Sequence, residues 1–260
     1  MKIAIITFSP QGAVLAQRLR VFLPDCRFFF HESLPRTAGT IHFKTVTDLT
    51  RRIFSTVRGI IYIGPCGIAV RAVAGCLRHK LRDPAVLVID AGGRFAVSLL
   101  SGHEGGANKL AVTVANALGA EPVISTTTDA VKTVTVGIGC RRGTSAARIT
   151  ASVRKGLKMA GVVLKDVRFL ATAEIKRNEK GLLKAARLLG LPLRIMPDWL
   201  MRRGGDEVTP SAFVKAKTNL PAVAEPAALT SGRNTQLILK RQIINGVTIA
   251  VARENCLWSA

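Results

Sequence analysis

The residues best equipped for chemistry fall in one short run, Ser101-Gly102-His103-Glu104-Gly105-Gly106-Ala107-Asn108. His103 sits among glycines, so few side chains are at hand to bury it. An imidazole with an ordinary pKa near ~6.5 takes and gives a proton at neutral pH. His103 is therefore the foremost catalytic candidate, with Glu104 beside it as an orienting carboxylate. The plainer alternative is a histidine that pins the turn by hydrogen bonding, and sequence neighbours such as His103 and Glu104 commonly point apart. Ser101, Gly102, Gly105, Gly106 and Asn108 read as ligand-binding positions. Glycines let the backbone close on a ligand, and free N–H groups at a helix start attract anions. The alternative here is that glycine only makes the turn.

A second run has similar character: Gly137-Ile138-Gly139-Cys140-Arg141-Arg142-Gly143-Thr144. Gly137, Gly139 and Thr144 would frame a loop, and Arg141 and Arg142 suit carboxylates or phosphates, which guanidinium binds in bidentate geometry. Known patterns come close and fail. Ser101 lacks the first glycine of a G-x-S-x-G elbow, because position 99 is Leu. His103-Glu104 is not H-E-x-x-H, because position 107 is Ala, and the Gly137 run fits neither the dinucleotide fingerprint nor the phosphate loop. Lys80, Arg82 and Asp83 make a charged turn. Thr127, Thr128 and Asp129, with Thr126, read either as a polar strand-end pocket or as a structural turn. Lys176 and Glu179 share an i, i+3 spacing that suits one helical ion pair or a role in binding.

These loops need a frame, and the hydrophobic pattern supplies one. Lys2–Phe8 is a continuous apolar run, as in a buried parallel strand, and a helix follows over Gly12–Leu23. Arg58–Ile63 reads as a strand and Gly67–Lys80 as a helix. Ala85–Asp90 and Arg94–Leu100 read as strands joined by a hairpin-like turn. Gly105–Leu118 carries the cleanest amphipathic helix, ended by Gly119. The alternation then restarts: strand Val134–Ile138, helix Ser145–Lys158, strand Val167–Ala171, helix Glu179–Leu189, and strands Leu193–Ile195, Gln236–Lys240 and Val247–Ala252. Met201–Pro210 reads as a loop. The pattern predicts an α/β fold of two α/β domains, 1–130 and 131–260, with mostly parallel sheets and helices on both faces.

The chain has 260 residues and a net charge of +22, with 38 basic against 16 acidic side chains. The second half carries about twice the positive excess of the first. Such a field attracts polyanions: nucleic acid, anionic lipid or a small molecule with several carboxylates or phosphates. Hydrophobic residues at 48% exclude a disordered basic tail, and aromatics at 5% argue against a base-stacking platform. The five cysteines form no C-x-x-C pair. With no signal peptide evident and no apolar run near the ~18 residues of a spanning helix, a cytoplasmic protein with reduced thiols is expected.

The ordered motifs resemble a known family. GPCGIAVRAVAG, KLRDPAVLVID, LLSGHEGGANKLA and PVISTTTD, all within 61–129, are similar to the N-terminal domain of the cobalt-precorrin-5A hydrolases, the CbiG family of anaerobic cobalamin biosynthesis. VGIGCRRGTS (136–145), IKRNEKGLL (175–183), VAEPAALTSG (223–232) and GVTIAVAR (246–253) are similar to its C-terminal domain, which is related to the CobE proteins. Family members usually carry a middle segment, and here only a few residues separate Asp129 from the Val134 strand. The resemblance implies a cobalt-bearing, polycarboxylate tetrapyrrole as substrate. It implies hydrolytic opening of a δ-lactone, then release of a two-carbon unit as acetaldehyde. Cobalt would come with the substrate, so neither a protein metal site nor a cofactor is expected. Arg71, Lys80, Arg141 and Arg142 then become partners for substrate carboxylates, if the two domains face each other across a cleft.

Two other classes of function stay in view. One is a carrier that binds the corrinoid intermediate and hands it on. The other, suggested by charge alone, is nucleic-acid binding, which no basic recognition helix or aromatic platform supports. Expected partners are the substrate, with no nucleic acid and no membrane. A homodimer and contacts with other cobalamin-pathway enzymes remain open.

Overall fold

The structure, a computed structural model, describes residues 3–202 and 222–256. The chain divides into two compact units, Met1–Thr126 and Thr127–Ala260.

The first unit is built on a seven-stranded sheet. Its strands are β1 (Ile3–Thr7), β2 (Cys26–His31), β3 (Thr40–Phe43), β4 (Gly59–Ile63), β5 (Ala85–Ile89), β6 (Phe95–Leu100) and β7 (Glu121–Val123). They lie in the order β3-β2-β1-β4-β5-β6-β7, and every neighbouring pair is parallel except β5–β6. β1, β4 and β5 are apolar throughout because both faces are covered. Helices α1 (Pro10–Phe22) and α4 (Ala107–Leu118) cover one face, packing Leu19, Leu110 and Val114 against Ile5, Ile61 and Leu87. Helices α2 (Val46–Ile53) and α3 (Cys66–Ala74) cover the other, packing Leu49, Ala69 and Val73 against Ile6, Tyr62 and Val88.

The second unit holds a five-stranded sheet of β8 (Val134–Cys140), β9 (Val167–Ala173), β10 (Leu193–Met196), β11 (Thr235–Ile244) and β12 (Val247–Glu254), in the order β10-β9-β8-β12-β11. Its helices are α5 (Thr127–Ala130), α6 (Ala146–Met159), α7 (Lys180–Leu189), α8 (Asp198–Met201) and α9 (Ala224–Thr230). α6 and α7 pack Ile149, Val153 and Leu182 on one face, while α9 sets Ala224 and Ala228 against Ala250 and Ala252 on the other.

The α/β architecture with helices on both faces matches the expectation from the sequence. The second sheet is less parallel than expected: β12 runs antiparallel to both β8 and β11. The late strands form a hairpin turned at Asn245-Gly246, both with positive φ, and a hairpin cannot continue a parallel sheet. The helix expected over Gly67–Lys80 ends at Ala74, with Gly75 as its cap. Its last residues instead form a turn fastened by Asp83, whose carboxylate accepts the Arg78 and His79 amides at 3.0–3.2 Å. Of the loop expected over Met201–Pro210, Met201 is buried at the end of α8, and 203–210 lie outside the described residues.

Candidate functional site

β6 positions the His103 loop, and its direction decides what the loop meets. β6 runs antiparallel to β5, pairing Leu100 with Val86. The carboxyl end of β6 therefore lies at the edge where β4 and β5 begin. This returns Ser101–Asn108 to the charged turn before Ala85. Lys80 Nζ stands 3.3 Å from Glu104 Oε1, and a Cβ on Gly105 would lie 3.4 Å from the Asp83 carbonyl oxygen. β7 runs parallel to β6, so Thr126 arrives at the same edge. There Asn108 Nδ2 donates to Thr126 Oγ1 at 2.9 Å, and Asn108 Oδ1 accepts the Ser98 hydroxyl at 2.8 Å. The motifs around Lys80, Ser101 and Thr126 thus meet in space. Asp83, Ser98 and Thr126 support the site, and their contribution comes from strand direction, which spacing does not reveal.

Within the loop, His103 is exposed and makes no hydrogen bond among the described residues. Glu104 does not serve it as a hydrogen-bonded partner: its own backbone N–H, then Lys80, hold its carboxyl below the usual range. The helix expected from Gly105 starts at Ala107, because Gly106 adopts a left-handed conformation at φ 84°. The Ala107 and Asn108 amides are used by the carbonyls of Ser101 and Gly102, at 3.2 and 2.9 Å. The Gly105 and Gly106 amides have no such acceptor among the described residues. Gly102 and Gly105 are required by close packing, since a Cβ would come within 2.7 Å of Asn108 Oδ1 at the first and 2.4 Å of Ser101 Cβ at the second.

Arg71 is not brought to this edge. Its Nη1 lies 3.4 Å from where a Cβ on Gly67 would stand. That puts the guanidinium at the start of α3, beyond the carboxyl end of β4 and at the opposite edge of the sheet.

In the second unit, β8 and β9 are parallel and end at the same edge. Arg141 and Arg142 follow β8, both exposed and without an ion pair among the described residues. Gly137 and Gly139 belong to β8 itself, not to a loop. A Cβ on Gly137 would fall 1.8 Å from the Ala224 carbonyl oxygen, so this glycine admits α9 rather than a ligand. Thr144 is buried and donates to the Arg141 carbonyl at 2.8 Å, closing the turn.

Lys176 and Glu179 do not share a helix. A 3-10 turn over Glu174–Lys176 ends before α7 begins, with Glu179 at its N-cap. Glu179 Oε1 instead accepts the Gly143 amide at 3.1 Å, so an internal carboxylate fills the place foreseen for a ligand anion. Both residues act on Cys140: burial raises its thiol pKa most, Lys176 pulls it down and Glu179 pushes it up. Thr127, Thr128 and Asp129 form the helical turn α5 instead of a strand-end pocket, with Asp129 Oδ1 2.8 Å from Lys132 Nζ. Among the described residues, no group of three His, Cys, Asp or Glu side chains is placed to hold a metal ion. Nor is any helix there long and apolar enough to cross a membrane.

Fold and loops together define a protein of two α/β units, each presenting a polar strand-to-helix turn. Residues 48–129 match the family model "Cobalamin synthesis G N-terminal", and residues 134–252 match "Cobalamin synthesis G C-terminus". The chain belongs to the CbiG family. It is 46% identical over 129 residues to a protein named cobalt-precorrin-5A hydrolase of Salmonella typhimurium, covering 49% of this chain but only 36% of that one. It is 29% identical to a protein of the same name from Priestia megaterium, over 96% of this chain and 94% of the relative. It is also 31% identical to Protein CobE of Sinorhizobium sp, over 48% of this chain and 83% of the relative. The Priestia match runs over 354 aligned positions, more than this chain's 260 residues. The relative therefore holds extra residues within the aligned stretch.

Proposed function

We propose that this chain is a cobalt-precorrin-5A hydrolase. The observation that carries this reading is the presence of both family models, in order, with four residues between them. Agreement in name of the Salmonella and Priestia relatives supports it. Water adds to the lactone carbonyl carbon, and the acyl–oxygen bond breaks to leave a free carboxylate. The released oxygen stays on the methyl-bearing carbon. As it becomes the carbonyl of acetaldehyde, the carbon–carbon bond to the macrocycle breaks, and the electron pair left on the macrocycle takes a proton. One water is consumed and one acetaldehyde released.

His103 removes the proton from the attacking water and later returns one. This role suits an exposed imidazole at a loop tip. The Gly105 and Gly106 amides face the developing oxyanion. Lys80, beside the His103 loop, receives a peripheral carboxylate of the macrocycle, and Arg141 and Arg142 offer exposed guanidinium groups suited to carboxylates. Cobalt enters and leaves with the substrate, and the reaction asks for no resident cofactor. The reaction needs only water-soluble components, in keeping with a cytoplasmic enzyme.

The test is turnover of cobalt-precorrin-5A by the purified chain, with acetaldehyde measured by a coupled alcohol dehydrogenase. His103→Ala should lower kcat by about 10²–10⁴-fold, and near-normal release from a folded variant would remove His103 from the mechanism. The carrier reading keeps a place because the relative's additional internal residues are absent here; stoichiometric binding without acetaldehyde would favour it.

A further inference from the structure

Ser101 is the one described residue of the His103 loop with both a left-handed backbone and a side chain, at φ 55°. Left-handed backbone is costly for a residue with a Cβ, and such strain gathers at functional sites. The residue is only 8% exposed, and its Oγ is buried without a hydrogen-bond partner among the described residues. An orphaned buried hydroxyl is also costly and calls for an explanation. The neighbours of the side chain provide one. Ser101 Cβ lies 2.4 Å from the position of a Cβ on Gly105, so the serine side chain stands directly against Gly105. The carbonyl of the same serine caps α4 through the Ala107 amide at 3.2 Å. The Ser101 side chain and Gly105 thus stand together just ahead of a twelve-residue helix, whose dipole favours negative charge.

We infer that Ser101 Oγ–H is an oxyanion donor, acting with the Gly105 and Gly106 amides on the substrate's lactone carbonyl oxygen. This deepens the hydrolase reading and rests on it. When water adds, the carbonyl π pair moves onto that oxygen, which accepts from Ser101. When the carbonyl re-forms, the ring oxygen departs with its bonding pair and Ser101 keeps its proton. A nucleophilic serine would need a base within hydrogen-bond reach, and Ser101 Oγ has none among the described residues. A donor needs no base.

The full chain carrying Ser101→Gly or Ser101→Ala tests this. Ser101→Gly relieves the left-handed backbone, so its Tm should equal or exceed that of the wild type. With cobalt-precorrin-5A, both variants should lose about 10²–10³-fold in kcat. KM should stay nearly constant, and the kcat–pH profile should fall at every pH without moving. Three results would overturn the assignment: wild-type kcat in Ser101→Gly, a loss confined to one limb of the pH profile, or an acyl adduct on Ser101 by mass spectrometry. If the wild type itself releases no acetaldehyde, the hydrolase reading fails. The Ser101 assignment then falls with it, whereas wild-type turnover with an unaffected Ser101→Gly overturns the Ser101 assignment alone.

Discussion

At the residue scale, polar side chains in this molecule divide into those that hold a turn and those left for solvent or substrate. Asp90 belongs to the first group. Its carboxylate accepts the Gly92, Arg94 and Phe95 amides and the Arg94 Nε, at 2.8–3.1 Å, and so fastens the turn into β6. Partial burial alone would raise its pKa, but the donors outweigh that and hold it below the ordinary 3.8. The sign follows: Asp90 contributes stability above its ordinary pKa, and loses it as pH falls below about 4 through the lower native value. Asp90→Asn should cost about 1–3 kcal/mol at pH 7 and flatten the acid limb of stability, as urea melts across pH 2–7 would reveal. His103 and the arginines at 141 and 142 belong to the second group. Their types were legible in the sequence, and all three are exposed. The Lys80–Glu104 pair was not legible, because it depends on β6 turning back along β5. Ser101 reads from the sequence as a ligand-binding position, but its left-handed backbone was not legible, because it leaves no mark on composition.

At the scale of elements, close packing explains glycines that the sequence presents as loop formers. Gly137 sits in mid-strand, where α9 crosses so near that any Cβ would collide with the Ala224 carbonyl. Gly137→Ala should destabilise by roughly 3 kcal/mol or more, since backbone must move, and a lowered Tm with loss of soluble protein would report it. A Tm within a degree or two of wild type would show that α9 can lift without cost. The periodic signals did well for β1, β4, β5, α4 and α6, where long apolar runs or stripes are continuous. They missed β2, β3 and α2. β2 reads as an unalternating Cys-Arg-Phe-Phe-Phe-His, and α2 is short, with its buried Thr50 bonded to a partner twelve residues away. That partner is Tyr62, whose hydroxyl lies 2.7 Å from Thr50 Oγ1; burial pushes its pKa up to about 12. Such anchoring is tertiary, so no local pattern announces it.

At the scale of the molecule, each unit has its own sheet and its own apolar core on both faces. Fragments 1–126 and 127–260 should therefore each unfold cooperatively when produced separately; a fragment with no near-ultraviolet signal and no melting transition would contradict this. The net charge of +22 first suggested any polyanion. The proposed hydrolase reading would take a macrocycle rich in carboxylates, and most basic residues still lie outside the loops discussed. Corrinoid affinity should fall as salt rises from 50 to 300 mM, by roughly tenfold, because exposed charge pairs are screened within about 10 Å at ~0.1 M salt. Arg141→Ala with Arg142→Ala should flatten that dependence, which an isothermal titration series would measure. The most direct test of the whole account is acetaldehyde counted against cobalt-precorrin-5A supplied in excess of protein. The account requires one acetaldehyde per corrinoid over many turnovers. Binding that saturates at one corrinoid per chain, with no acetaldehyde released, would contradict it.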